Sequence, residues 1–341
     1  MNSTADTLML LTGAHPVHVA FGKSAGAYAY YIKNMVSKQQ PAPLKGITLM
    51  RSSLSIPSGF SYALCESCYY YPAIKRRLGL LPKTKIINMN SGPLYYHLTS
   101  GRIAGMERRM LLSLLREVDG HIVFGDYGIE LAKRVGVKGP CRKAYPFVSS
   151  SRFAGFMEAK SDLNNRRMSV IVTNDPYCKG LDLLFDAFAT VKEKFSDAEL
   201  TIITRMEIKE IESLPGFDRF GMKILQNVSD ISKCLSDSSL YLQPSRGDCF
   251  PVAVLEAMLT GIPSIVSSEN GTKELVSQVN KKMVVGLESK ALAESIISYF
   301  ELPQKDRLEL SSLSKTVAAP FNEKEQLEYF RKQFTSLKKS L

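Results

Sequence analysis

Short apolar runs alternate with longer stretches of helical period along most of this chain. In the first half, Leu8–Thr12, Ile47–Met50, Lys85–Met89 and Gly120–Phe124 read as strands. Between them, Ala27–Ser37, Tyr69–Leu81 (with a break at Pro72), Met106–Val118 and Ile129–Val135 read as helices. Residues 146–166 lose this period and gain Ser and Asn, which marks a domain boundary. The second half resumes with strands Met168–Thr173, Glu199–Thr204 and Lys223–Leu225. Helices Gly180–Phe195, Asp230–Asp237, Ser289–Phe300 and Glu323–Lys338 accompany them. The alternation predicts an α/β fold of two Rossmann-like, parallel-sheet domains. Their expected spans are 1–148 and 149–322, followed by a terminal helix at 323–341.

Residues 240–276 read as strand, loop, buried helix, strand, loop, helix. They place two acids in informative positions. Asp248 falls in the loop after a strand, where open parallel sheets bind ligands. Glu256 is the sole charge in Pro251–Thr260, a helix apolar nearly all round and therefore buried. A carboxylate there needs a partner, either ligand or protein. Asp248 could equally cap the following helix, with Pro251 in its first turn.

Composition narrows the classes. The chain of 341 residues fits two ordinary domains, and 45% apolar residues suffice for two cores. No apolar run reaches the roughly 18 residues of a spanning helix, and the N-terminus reads as a strand rather than a signal peptide. Of six cysteines, only Cys65 and Cys68 form a Cys-x-x-Cys pair, too few for a structural zinc site. They are either a redox pair or ordinary thiols, and the latter suits a reduced, cytoplasmic setting. The net charge of +11 is asymmetric: residues 1–145 carry +12 and the rest −1. An anionic partner of the first half follows, whether a phosphorylated substrate, a lipid surface or nucleic acid. No nucleic-acid recognition motif supports the last.

Two segments of the first half carry candidate chemistry. Gly22-Lys-Ser-Ala-Gly26 is expected to follow the first strand and open a helix, so that Gly22, Ser24 and Gly26 let backbone amides approach an anion. Tyr69–Lys83 mixes aromatics and leucines with Lys75, Arg76 and Arg77. That mixture suits either a membrane interface or a half-buried helix with a solvated basic face.

At residues 240–276 the chain resembles the retaining glycosyltransferases of family 4, which have the GT-B fold. Pro244-Ser245 precede Asp248, then seven residues and Glu256, then Ala257-Met258-x-x-Gly261-x-Pro263. Lys179-Gly180 and the helix after it match that family's Lys-Gly turn, and Tyr145–Phe153 sits where its interdomain linker lies. The resemblance implies two domains facing a central cleft, a donor-binding second domain, and a terminal helix crossing back to the first domain. It implies retaining transfer of a sugar from a UDP- or GDP-linked donor to a glycan or lipid-linked acceptor. Neither a metal nor any cofactor beyond the donor is expected.

The implied roles attach residue by residue. Lys179 would neutralise the diphosphate leaving group, unless it is a surface lysine at a helix start. Glu256 would accept from ribose hydroxyls, or cap local backbone. Asp248 would meet donor-sugar hydroxyls or the developing positive charge, and amides near Phe250 and Val252 would meet sugar or phosphate oxygens. The family's second cation is an Arg where this chain has Asn174, so Arg205 and Arg246 stand as substitutes. That departure, with Asp248 in place of Glu, motivates an alternative: a weak or inactive sugar-nucleotide-binding partner subunit. Asn90, with His97 further on, falls where the family places a His near the acceptor, and Lys75, Arg76 and Arg77 would face an anionic membrane. The implied setting is cytoplasmic, with peripheral attachment to the membrane face as an option.

Overall fold

The computed structural model describes residues 6–11, 15–32, 48–50, 56–90, 94–218 and 220–341. The chain divides into two compact units, one of Met1–Pro146 with Lys324–Leu341, the other of Phe147–Glu323.

The first unit is built on a parallel sheet. Its strands are β1 (Thr7–Leu11), β2 (Tyr28–Ile32), β3 (Thr48–Met50), β4 (Tyr62–Glu66), β5 (Lys85–Asn90), β6 (Gly120–Phe124) and β7 (Cys141–Ala144), in the order β3-β2-β1-β4-β5-β6-β7. Helices α1 (Pro16–Ser24), α2 (Tyr70–Arg77), α3 (Leu94–Ser100), α4 (Gly105–Leu115) and α5 (Gly125–Val135) connect them. Central strands β1 and β6 are buried at every position, as strands covered on both faces must be. The last helix, α14 (Glu323–Lys339), joins this unit from Lys324 onward. Phe330 of α14 meets Phe21 of α1 at 4.4 Å between ring centroids, and Lys338 pairs with Asp6 at 2.6 Å.

The second unit carries a six-stranded parallel sheet in the order β10-β9-β8-β11-β12-β13. The elements run α6 (Ser150–Glu158), β8 (Arg167–Val172), α7 (Leu181–Lys194), β9 (Glu199–Thr204), α8 (Ile208–Glu212), β10 (Met222–Gln226), α9 (Ile231–Ser236), β11 (Leu240–Gln243), α10 (Val252–Thr260) and β12 (Ser264–Ser267). Then come α11 (Lys273–Val279), β13 (Val284–Val285), α12 (Ser289–Glu301) and α13 (Gln304–Ala318). Among the described residues, no helix is long and apolar enough to cross a membrane.

Several sequence expectations need correction. The helix expected over 27–37 is strand β2 at Tyr28–Ile32, because its three tyrosines and its isoleucine suit a pleated surface; residues 33–37 lie outside the described residues. Pro72 does not break α2. It sits in the first turn, where a missing N–H costs nothing. Strands β4 and β7 were not anticipated: β4 is short, and β7, Cys141-Arg-Lys-Ala, is an edge strand too polar to announce itself. Within the expected boundary segment, residues 150–158 form helix α6.

One glycine ties the second sheet together. Gly180 has φ +74, and a Cβ there would lie 2.1 Å from the Pro244 carbonyl oxygen. Only glycine lets the turn after β8 press onto the loop after β11. Gly180→Ala is expected to destabilise the fold by more than about 2 kcal/mol, read as a lowered denaturation midpoint. An unchanged midpoint would show that the two loops can separate freely.

Candidate functional site

In the second sheet the chain reverses its winding between β8 and β11. A crevice opens outside the carboxyl ends of two such strands, and ligands of open α/β sheets bind there. The loops at 173–180 and 244–251 form its lips. Lys179 from the first pairs with Asp248 from the second, and both side chains are largely shielded. Burial alone would push the Lys179 ammonium down, but the adjoining Asp248 carboxylate outweighs it and holds the lysine above its ordinary value, fully charged at neutral pH. The backbone of α10 starts at Pro251 with no side-chain cap, so the alternative role of Asp248 as a helix cap is corrected.

Beneath these loops lies a connected polar network. The Tyr241 hydroxyl donates to Gln243 at 2.7 Å and accepts from the Ile171 amide at 3.2 Å, linking β11 to β8. Gln243 donates to the Ser245 hydroxyl at 3.1 Å, and Asn270 donates to the Gln243 carbonyl at 3.2 Å. Thr272 returns two bonds to Asn270, at 2.7 and 3.0 Å. Such a satisfied network gives the loops above it one shape.

Glu256 is 5% exposed on α10. Its Oε1 lies 2.7 Å from Nη1 of Arg152 on α6. Burial pushes its carboxyl up to about 7, against the opposing pull of the Arg152 guanidinium. Burial raises the Tyr241 phenol, and the charges of Glu256 and Asp248 add to that in the same direction. Nothing in the sequence marks Arg152, because it lies in the segment expected to be a linker, where no periodicity distinguishes it.

The other expected site residues fall unevenly. Asn174 and Arg205 are exposed just beyond the ends of β8 and β9. Arg246 is corrected as a substitute cation: its guanidinium makes two 2.7 Å bonds to Asp182, one to the Tyr177 carbonyl, and stacks on the Tyr177 ring at 3.9 Å. It fastens the two loops together. Phe250 is buried and stacks on Phe321, while Val252 begins α10 at a half-buried position.

In the first unit, Gly22 and Ser24 lie in the last turn of α1 and Gly26 follows it, so this loop closes a helix instead of opening one. The amides of a helix end are already used, and the expected anion cradle is corrected. Lys75 is buried and donates to the Ile56 carbonyl at 3.0 Å. Arg76 bridges the Thr84 carbonyl, the Glu117 carbonyl and Asp119, and Arg77 binds Glu117 and Ser113. These three cations bind their own unit rather than standing free as a basic face. The apolar residues beside them, Ile74, Leu78, Leu80, Met106 and Met110, are the exposed ones. Asn90 is buried at the end of β5, and Ser91 and Gly92 lie outside the described residues. Cys65 and Cys68 are buried free thiols.

The first sheet also reverses its winding, between β1 and β4. There His18 Nδ1 lies 3.5 Å from Glu66 Oε1, the His15 and His18 rings sit 5.0 Å apart, and Ser67 adopts φ +54. Burial, with His15 alongside, pushes His18 down to about 3, so its ring is neutral at physiological pH. The spacing of His15 and His18 at a helix start is the signal in the sequence that marks this pair.

Residues 167–301 match the family described as glycosyl transferases group 1. A phosphatidyl-myo-inositol mannosyltransferase of Mycobacterium leprae is 27% identical over 125 residues, 35% of this chain and 33% of the relative. The match thus spans about a third of that relative's length. The solved structure of HepE from Anabaena, in complex with UDP and glucose, aligns with a TM-score of 0.70 at 16% identity, covering 98% of this chain and 99% of that one. A sucrose-phosphate synthase from Thermosynechococcus elongatus aligns at 0.72 and 13% identity, with coverages of 98% and 99%. With two parallel α/β units, a reversal crevice in each and these likenesses, the chain has the GT-B fold, and its residues 167–301 are similar to the group 1 glycosyl transferases.

Proposed function

We propose that this protein transfers a sugar, with retention, from a UDP- or GDP-linked donor to a glycan or lipid-linked acceptor. The observation that carries the reading is the buried, charged Lys179 paired with Asp248 at the winding reversal of the second sheet. Glycosyl transfer develops negative charge on a diphosphate, and a fixed ammonium in a shielded crevice lowers the barrier to that charge. In the free protein Asp248 balances Lys179. When a diphosphate takes the lysine, Asp248 is released toward sugar hydroxyls and the positive charge developing at the anomeric carbon. Glu256 accepts from ribose hydroxyls, and Asn174 contributes a hydrogen bond where an arginine would contribute a charge. Retention follows the family resemblance, with the acceptor hydroxyl attacking on the face the leaving phosphate vacates and passing its proton to that phosphate. The fixed lysine carries the leaving-group charge without a metal.

Neutral His18 beside Glu66 at the first sheet's reversal suits an acceptor rich in hydroxyls, since together they offer both donors and acceptors. A lipid-linked acceptor is supported by the exposed apolar face of α2 and α4, where Met106 is 80% and Leu78 63% exposed.

A thermal-shift panel of UDP, GDP and their sugars should give a selective upward shift, because a ligand stabilises the state it binds. Absence of any shift would overturn the donor assignment. Lys179→Ala should cut nucleotide release from the donor by about 10²- to 10³-fold while leaving the protein folded. A variant at full rate would remove the lysine from the mechanism. Leu78→Asp with Met106→Asp should abolish co-sedimentation with anionic vesicles; undiminished sedimentation would end the membrane part of the reading.

A further inference from the structure

We propose that Arg152 is a positioning residue, which holds Glu256 as an oriented anion for the ribose hydroxyls of the donor. This rests on the donor-site reading of Glu256 given above. Helix α10 is buried along Val254–Thr260 and packs on α6, α9, α13, β11 and β12. A carboxylate inside such a helix would be protonated, or would bend away, without a fixed cation. The polar and charged groups on the surrounding elements are mostly committed elsewhere. On β11, Tyr241 is a neutral phenol already bonded to Gln243 and Ile171. On α13, Lys315 donates to the Met157 and Ala159 carbonyls. On α9, the Lys233 backbone amide is taken by the helix-capping Asp230, and β12 contributes the uncharged Ser264 and Ser267. Asp248 in the neighbouring loop is paired with Lys179. Among the described residues, Arg152 on α6 is the cation that reaches Glu256.

Arg152 is itself held in place. Its guanidinium lies 5.1 Å from the centroid of the Phe156 ring one turn along α6, and Phe156 is fully buried. The first turn of α6 is fastened by Glu323, which accepts from the Ser150 amide and hydroxyl, each at 2.8 Å. Val148 pairs with Asn322 just before it. Arginine stays charged at any physiological pH, so the pair cannot be lost by deprotonating the cation. The Arg152 side chain is 45% exposed and that of Glu256 only 6%, so the pair meets solvent from the arginine side.

The consequence is a nucleotide affinity linked to one ionisation. With Arg152 in place the Glu256 carboxyl titrates near 7. Below that it becomes a donor, and ribose binding weakens. Without Arg152, burial acts unopposed and the weakening begins at higher pH. In the ligand-free protein the sign is opposite. Glu256 binds its proton more tightly when folded, so its contribution to stability is full below the unfolded value of 4.5 and is lost as pH rises through about 7.

The test measures UDP and GDP binding by calorimetry between about pH 5 and about pH 9, alongside the melting temperature of the free protein over the same range. Arg152→Met should weaken binding at neutral pH by about tenfold, or about 1.4 kcal/mol, and move the acid limb upward. Arg152→Lys should restore part of both. Because the effect passes through ribose hydroxyls, 2′,3′-dideoxy-UDP or 2′,3′-dideoxy-GDP should show no loss on Arg152→Met. An acid limb that stays in place, or an equal loss for the dideoxy ligand, overturns the assignment. If neither nucleotide binds the wild-type chain, the donor reading fails and takes the ribose role with it. The pairing of Arg152 with Glu256 then stands or falls on the melting profile, whose midpoint must move upward in the variant. Should Arg152→Met fail to fold, Arg152→Gln is read in the same way.

Discussion

Two loops leaving adjacent parallel strands press together at the winding reversal of the second sheet, and the site depends on that contact. Gly180 lies against the Pro244 carbonyl with no room for a side chain, and Arg246 clamps Asp182 and the Tyr177 carbonyl across the same seam. The backbone Arg246 amide adds a bond to the Cys178 carbonyl at 2.8 Å. These contacts leave Lys179 and Asp248 facing each other in a shielded place, where a charge interacts more strongly than it would in water. On the far lip, Gly271 repeats the device: a Cβ there would fall 1.6 Å from the Cys249 carbonyl oxygen. Backbone packing thus comes before electrostatics in assembling the crevice.

Glu256 shows what such a site costs. Raising a carboxyl from 4.5 to about 7 corresponds to about 3 kcal/mol of folding stability forgone at alkaline pH. A glutamine there would avoid the penalty of a buried anion. A group kept ionisable at that expense, beside the Arg152 guanidinium and on a helix that follows the carboxyl end of a parallel strand, fits recognition better than scaffolding.

Charge in the first unit follows a different logic. Its excess of basic residues suggests an electrostatic surface, yet Lys75, Arg76 and Arg77 spend their donors on carbonyls and carboxylates of that same unit. Arg76 alone joins the Thr84 carbonyl, the Glu117 carbonyl and Asp119, tying α2 to the ends of neighbouring elements. The exposed character of this face is apolar, through Leu78, Leu80, Met106 and Met110. Counting charges in a sequence measures supply; the structure shows how much is already consumed.

Much was legible before any coordinates. Strand β6, strand β9 and helices α7, α12 and α14 matched their periodic segments closely, because burial on a regular surface imposes a regular pattern. The isolation of Glu256 on an apolar helix and the placement of Asp248 after a strand could be read from spacing alone. Other features could not. Strand β2 passed for a helix, and the loop at Gly22–Gly26 was read at the wrong end of α1, because short segments carry too few periods to decide. Which cation serves which acid was hidden altogether. Arg152, about a hundred residues before Glu256, reaches it through the packing of α6 on α10, while the nearer Arg246 turns to Asp182. The local pattern of residues determined the elements and the two acids. Only tertiary structure decided their partners, because the choice depends on distances between segments far apart in the chain.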